Sequence, residues 1–106
     1  MRYFPIFADL DAAPILVVGG GEQAAQKVRL LLKTSARITV VADSINPELR
    51  DLASRNAISI VLGAFELAQL DGQRLVYATN GDRALDATVS QAAQARGSPV
   101  NVVDAA

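Results

Sequence analysis

Three consecutive glycines are the first candidates for chemistry. Gly19-Gly20-Gly21-Glu22-Gln23-Ala24 fits the pattern G-x-G-x-x-G/A, in which a glycine-rich turn carries a strand into a helix and receives a pyrophosphate. Each small residue serves a separate purpose. Gly19 permits the tight turn, Gly21 lets a phosphate approach the backbone, and Ala24 allows the helix to pack closely on the strand. The helix start behind them offers N–H groups and partial positive charge to an anion. The same residues also fit a glycine-rich turn in a domain that binds no nucleotide.

The remaining candidates are mostly carboxylates, because the chain has no His and no Cys. Imidazole and thiolate chemistry, disulfides and Cys-based zinc sites are thereby excluded, and acid–base work falls to Asp, Glu, Lys or Tyr. Asp43 stands where an acid after the second strand accepts from an adenosine ribose and repels a 2′-phosphate, favouring NAD over NADP. Its alternative is a local turn with Ser44. The loop Ala78-Thr79-Asn80-Gly81 follows the fourth strand and would pass near a dinucleotide; Asn80 or Asp82 could equally be a helix cap. Asp104, just beyond the last strand, is the best-placed candidate base if its apolar neighbours Val102 and Val103 bury it, and otherwise a solvated strand-end acid.

These residues need a scaffold, and the pattern supplies one. Ile15-Leu16-Val17-Val18 is an unbroken apolar run, the signature of a parallel strand buried on both faces. A helix is predicted over 22–33, with Ala24, Val28, Leu31 and Leu32 at helical spacing and Lys27 turned elsewhere. Strands are predicted at 38–42, 58–61, 75–78 and 100–103. A second helix follows Asn46 as N-cap with Pro47 at its first position and Leu49, Leu52 and Ala53 inward. A turn or short helix is expected at 65–70, and a long helix over 82–96, stopped by Gly97 in a left-handed conformation. Strand and helix alternate four times, which specifies an α/β domain: a Rossmann-like, doubly wound parallel sheet of about five strands, order 3-2-1-4-5, with helices on both faces.

Composition sets the outer limits. The 106 residues suit one domain, spanning 1–106; 51% are apolar and 20% charged, ordinary for a globular fold. Ten basic and eleven acidic residues give a net charge of −1, which argues against a nucleic-acid or polybasic membrane-surface protein. No run approaches the roughly 20 apolar residues of a membrane span, and no signal-peptide pattern is seen at the start, so a cytoplasmic location is expected.

Three pieces of the chain together resemble the N-terminal domain of siroheme synthase, the precorrin-2 dehydrogenase/sirohydrochlorin ferrochelatase family. They are Phe4-Pro5-Ile6-Phe7 followed by Ile15-Leu16-Val17-Val18-Gly19-Gly20-Gly21; Ala24-Ala25-Gln26-Lys27 with Leu30-Leu31-Leu32; and Ala78-Thr79-Asn80 with Asn101-Val102-Val103-Asp104-Ala105. The resemblance implies NAD-dependent oxidation of precorrin-2 to sirohydrochlorin, followed in full-length relatives by insertion of ferrous iron. It implies that Glu22 and Gln23 lie in the loop meeting the NAD pyrophosphate, that Asp43 and Ser44 contact the adenosine ribose, and that Thr79 and Asn80 form the second cofactor loop. It assigns Asp104 the acid–base role and a homodimer to the full-length protein; no resident metal is expected in this chain. The sequence departs from the family pattern at Gln26, where an Arg commonly precedes the Lys, at Gly81, where an acid is usual, and at Ala106, where a Pro is usual. Relatives also continue into a dimerisation and substrate-covering region, so the chain is read as the NAD-binding part of a larger enzyme, with little turnover of its own. The alternative from another class is a non-catalytic NAD-sensing regulatory module, which would need the glycine loop and Asp43 but neither the Phe4–Phe7 arm nor Asp104. A third option is a nucleotide-free interaction domain.

Overall fold

A computed structural model describes residues 13–79, 83–95, 97 and 100–102. Among the described residues, five parallel strands form one sheet in the order β3-β2-β1-β4-β5. They are β1 (Pro14–Val18), β2 (Arg37–Ala42), β3 (Ser59–Leu62), β4 (Leu75–Ala78) and β5 (Val100–Val102). Three helices connect them: α1 (Glu22–Leu31), α2 (Pro47–Ser54) and α3 (Arg83–Ala95), with a 3₁₀ turn at Leu67–Leu70 in place of a full helix between β3 and β4. The expected strand order and the expectation of helices on both faces are met.

The central position of β1 follows from its side chains. Ile15, Leu16, Val17 and Val18 are all buried, and successive residues of a strand point to opposite faces. Ile15 and Val17 join Ala24, Ala25, Val28 and Leu31 of α1 and Leu49 of α2 in one core layer. Leu16 and Val18 join Val89 and Ala93 of α3 and Leu70 of the 3₁₀ turn in the other. A strand apolar on every residue can satisfy both faces only between two layers of helix.

The edges depart from the pattern. Helix α1 ends at Leu31, two residues before the expected end, and the chain turns through Leu32–Thr34, leaving Leu32 37% exposed rather than in the core. Two backbone bonds, Lys33 N–H to Leu30 O at 3.2 Å and Thr34 N–H to Leu31 O at 2.9 Å, tighten that end. Strand β3 lies one residue later than expected; at the sheet edge, where the expected order puts it, Val61 and Leu62 are exposed. Strand β2 begins one residue earlier, at Arg37. Within the described residues α3 covers Arg83–Ala95 and β5 covers Val100–Val102, inside the expected spans; residues 82, 96 and 103 lie outside the described residues. Gly97 has φ +74°, the left-handed stop expected there.

Lys27 is half-buried on α1, and its ammonium lies 5.9 Å from the centroid of the Tyr77 ring on β4. That distance suits a cation–π contact between helix and sheet. Burial raises the Tyr77 phenol above its ordinary value.

Candidate functional site

Register brings three loops to one edge of the sheet. Val18 lies opposite Val41 on one side and Ala78 on the other. The residues that follow these strands, Gly19, Asp43 and Thr79, therefore emerge together at the carboxyl ends. This is the location where open α/β sheets bind ligands, at the reversal of strand order between β1 and β4.

The first glycine is fixed by its surroundings. Gly19 has φ +135°, which an L side chain rarely adopts. A Cβ there would also collide with the Thr79 hydroxyl and lie 2.9 Å from the Thr79 carbonyl oxygen. Thr79 itself is buried, and its hydroxyl donates to Val18 O at 3.0 Å while its N–H donates to the same oxygen at 2.9 Å. Thr79 thus closes the turn from below.

Gly20 is needed for a different reason, one that the motif does not express. A Cβ at Gly20 would run into the Ser44 carbonyl oxygen and come within 2.9 Å of Ala42 Cβ. Asn46 N–H donates to Gly20 O at 2.9 Å. The loops after β1 and β2 are therefore packed backbone to backbone. Gly20 and Gly21 on one side and residues 42–46 on the other enclose an open depression of about 420 Å³.

Gly21 is the reverse case. It is exposed, and a Cβ added there would meet nothing within 4 Å. Gly21 is the N-cap of α1, with φ −98° and ψ −158°, and, lacking a side chain, it makes no cap bond of its own. The first helical bond runs from Ala25 N–H to Gly21 O at 3.0 Å. An uncapped helix start, facing open space beside a glycine turn, suits an anion held by backbone N–H groups and the helix dipole.

The second helix to begin here is closed. Asn46, the expected N-cap of α2, accepts from Leu49 N–H through its side-chain oxygen at 2.9 Å. Its position on the wall of the depression was not anticipated from the sequence. Arg29 was also missed. Its guanidinium forks onto Glu48 of α2, with Nε to Oε2 at 2.6 Å and Nη2 to Oε1 at 2.7 Å, and Nη2 also reaches Glu22 Oε2 at 3.0 Å. The bonds to Glu48, then to Glu22, raise Arg29 above its ordinary value, and the Arg29 bonds hold the Glu48 carboxyl below its own. The Glu22–Arg29 separation of seven residues, two helical turns, was a legible signal; the pairing with Glu48, nineteen residues away, was not.

The anticipated site residues are therefore distributed as follows. Gly19, Gly20 and Gly21 form the turn. Asp43 and Ser44 are exposed on the depression wall. Glu22 is exposed at the start of α1 but paired with Arg29, and Gln23 is half-buried in the same turn. Thr79 is buried beneath Gly19. Asn80 and Asp104 lie outside the described residues. Among the described residues, no helix is long and apolar enough to cross a membrane, and no grouping of three or more acidic, His or Cys side chains could hold a metal ion.

Comparison with known proteins agrees with this geometry. Residues 6–106 match the sequence model of a family described as "Putative NAD(P)-binding". The chain is 46% identical over 104 residues to siroheme synthase of Sodalis glossinidius and 48% identical over 105 residues to siroheme synthase of Methylobacillus flagellatus. These alignments cover 98% and 99% of this chain, which spans 22% of the length of each relative. Among solved structures, SirC, a precorrin-2 dehydrogenase, superposes with a TM-score of 0.74 at 26% identity, over 77% of this chain and 41% of that one.

Proposed function

Because the chain belongs to this NAD(P)-binding family, we propose that it is the NAD-binding domain of an enzyme that oxidises precorrin-2 to sirohydrochlorin in the cytoplasm. The observation that carries the reading is the uncapped start of α1 at Gly21, open to solvent beside the Gly20–Ser44 crossing. A pyrophosphate would lie there against the α1 N-terminus. The adenosine ribose would lie in the depression against Asp43 and Ser44. None of the seven described residues lining that depression is basic, and Asp43 is an acid. That lining suits the free 2′-hydroxyl of NAD and opposes the 2′-phosphate of NADP.

When bound, NAD⁺ supplies the hydride acceptor. The chain's own part is placement plus one base. Gly19 and Thr79 set the turn, Gly21 and the α1 start hold the anion, and Asp43 fixes the ribose. Asn80 belongs to the second cofactor loop. Asp104, two residues after β5 in the sequence, takes the proton that leaves the macrocycle as the hydride departs. The relatives are siroheme synthases of much greater length. In the longer enzyme, a homodimer, the sirohydrochlorin product then receives ferrous iron as a second substrate, with Asp104 accepting pyrrole protons.

The test has two parts. NAD⁺ and NADP⁺ are titrated into the 106-residue chain, and saturable binding that prefers NAD⁺ is expected. Precorrin-2 oxidation is then followed by absorbance in a full-length enzyme carrying this domain, with and without Asp104→Asn. Activity is expected to fall by about 10²-fold or more on loss of the base. Binding of neither nucleotide would refute the cofactor assignment, and full activity of the Asn variant would remove Asp104 from its role.

A further inference from the structure

Two helices begin at the same depression, and each carries an acid in its first turn, Glu22 on α1 and Glu48 on α2. An acid in that position stabilises its own helix, but it draws on the same positive end of the helix dipole that an anionic ligand would use. Asp43 adds a third negative charge on the wall. A site that takes a pyrophosphate has to keep such carboxylates from opposing it. One side chain contacts both. Arg29, near the end of α1, forks onto Glu48 and also reaches Glu22. Seven residues span about 10 Å along a helix, so Arg29 meets Glu22 from well down α1 and draws its carboxylate along the helix, away from Gly21. Two side chains that could repel an anion are thereby pinned by a single cation, which offsets one of their two charges.

We propose that Arg29 is a positioning residue for the dinucleotide, holding the Glu22 and Glu48 carboxylates so that the α1 start remains open to a pyrophosphate. The inference rests on the NAD-binding reading above. A lysine cannot replace it fully, because an ammonium lacks the planar fork that grips Glu48 while a third contact reaches Glu22.

The experiment measures the Kd of the 106-residue chain for NAD⁺ at low and high salt, with the urea midpoint of each variant as a folding control. Arg29→Met should weaken binding by about 5–10-fold at low ionic strength, and the loss should shrink at about 0.5 M salt, where exposed charges are screened. Arg29→Lys, the milder variant, should lose about 2-fold. Adding Glu22→Gln and Glu48→Gln to Arg29→Met should restore affinity to within about 2-fold, because the repelling charges are then gone. A loss that is independent of salt and not restored would make Arg29 a purely structural tie between the helices and overturn the proposal. Unchanged affinity in Arg29→Met would overturn it too, while leaving NAD binding intact. If the unaltered chain binds no NAD⁺, the NAD-binding reading and this inference fall together.

Discussion

Helix α1 begins at Gly21, which has no side chain to cap it, whereas α2, on the same face of the sheet, begins at Asn46, whose carboxamide oxygen accepts from Leu49 N–H. Both starts border one depression, and both helices carry an acid in the first turn. The difference separates two uses of a helix end. At α2 the chain satisfies its own backbone, with Pro47 and Asn46 forming a conventional start. At α1 it forgoes the cap and places a glycine with empty space beside it. A cap such as Asn or Ser is worth only a few tenths of a kcal/mol over Gly. The stability forgone is small, and the cap position is left without a side chain.

The contrast breaks most severely at Gly20. Gly20→Val places atoms where the Ser44 carbonyl stands, so the two loops must part. We expect a loss of about 3 kcal/mol in a urea titration, together with loss of NAD⁺ binding. Gly21→Ser tests the same loop without that collision. It would give α1 the kind of cap α2 has, in extended backbone that serine tolerates. Stability should stay within about 0.5 kcal/mol while NAD⁺ affinity falls by about 10-fold or more. Asn46→Ala should do the opposite, costing about 1 kcal/mol of stability at α2 with a smaller effect on binding. The smallest effect is the acid limb. Arg29 holds the folded Glu48 carboxyl below its ordinary value, so the stability this pair contributes is complete above the unfolded carboxylate pKa. It is lost as pH falls through that value toward the folded one. Glu48→Gln should flatten this part of the stability profile between about pH 5 and pH 3.

Much of this was legible in the sequence because it rests on local chemistry. The unbroken apolar run of β1 announced a strand between two layers, and Asn46-Pro47 announced a capped helix; both hold. The glycine motif correctly implied a turn at Gly19 and an open face at Gly21. The part that could not be read depends on chain segments distant in sequence. Gly20 is constrained by Ser44, which reaches it only after α1 and β2 have folded. Arg29 finds Glu48 only across the α1–α2 pair. Leu32 carried the helical spacing of a core residue, yet α1 ends at Leu31 and Leu32 turns outward, because spacing alone does not mark a helix end. The edge position of β3 was legible in the expected strand order, whereas its start, one residue late, was not.

The most direct measurement is calorimetric titration of NAD⁺ into the unaltered chain and into Gly21→Ser, at matched folding stability. An open α1 start predicts saturable binding to the unaltered chain and an affinity lower by about 10-fold or more in the variant, with both proteins unfolding at nearly the same urea concentration. Equal affinity in the two proteins, or no binding to either, would contradict the claim that the open start of α1 is the pyrophosphate site.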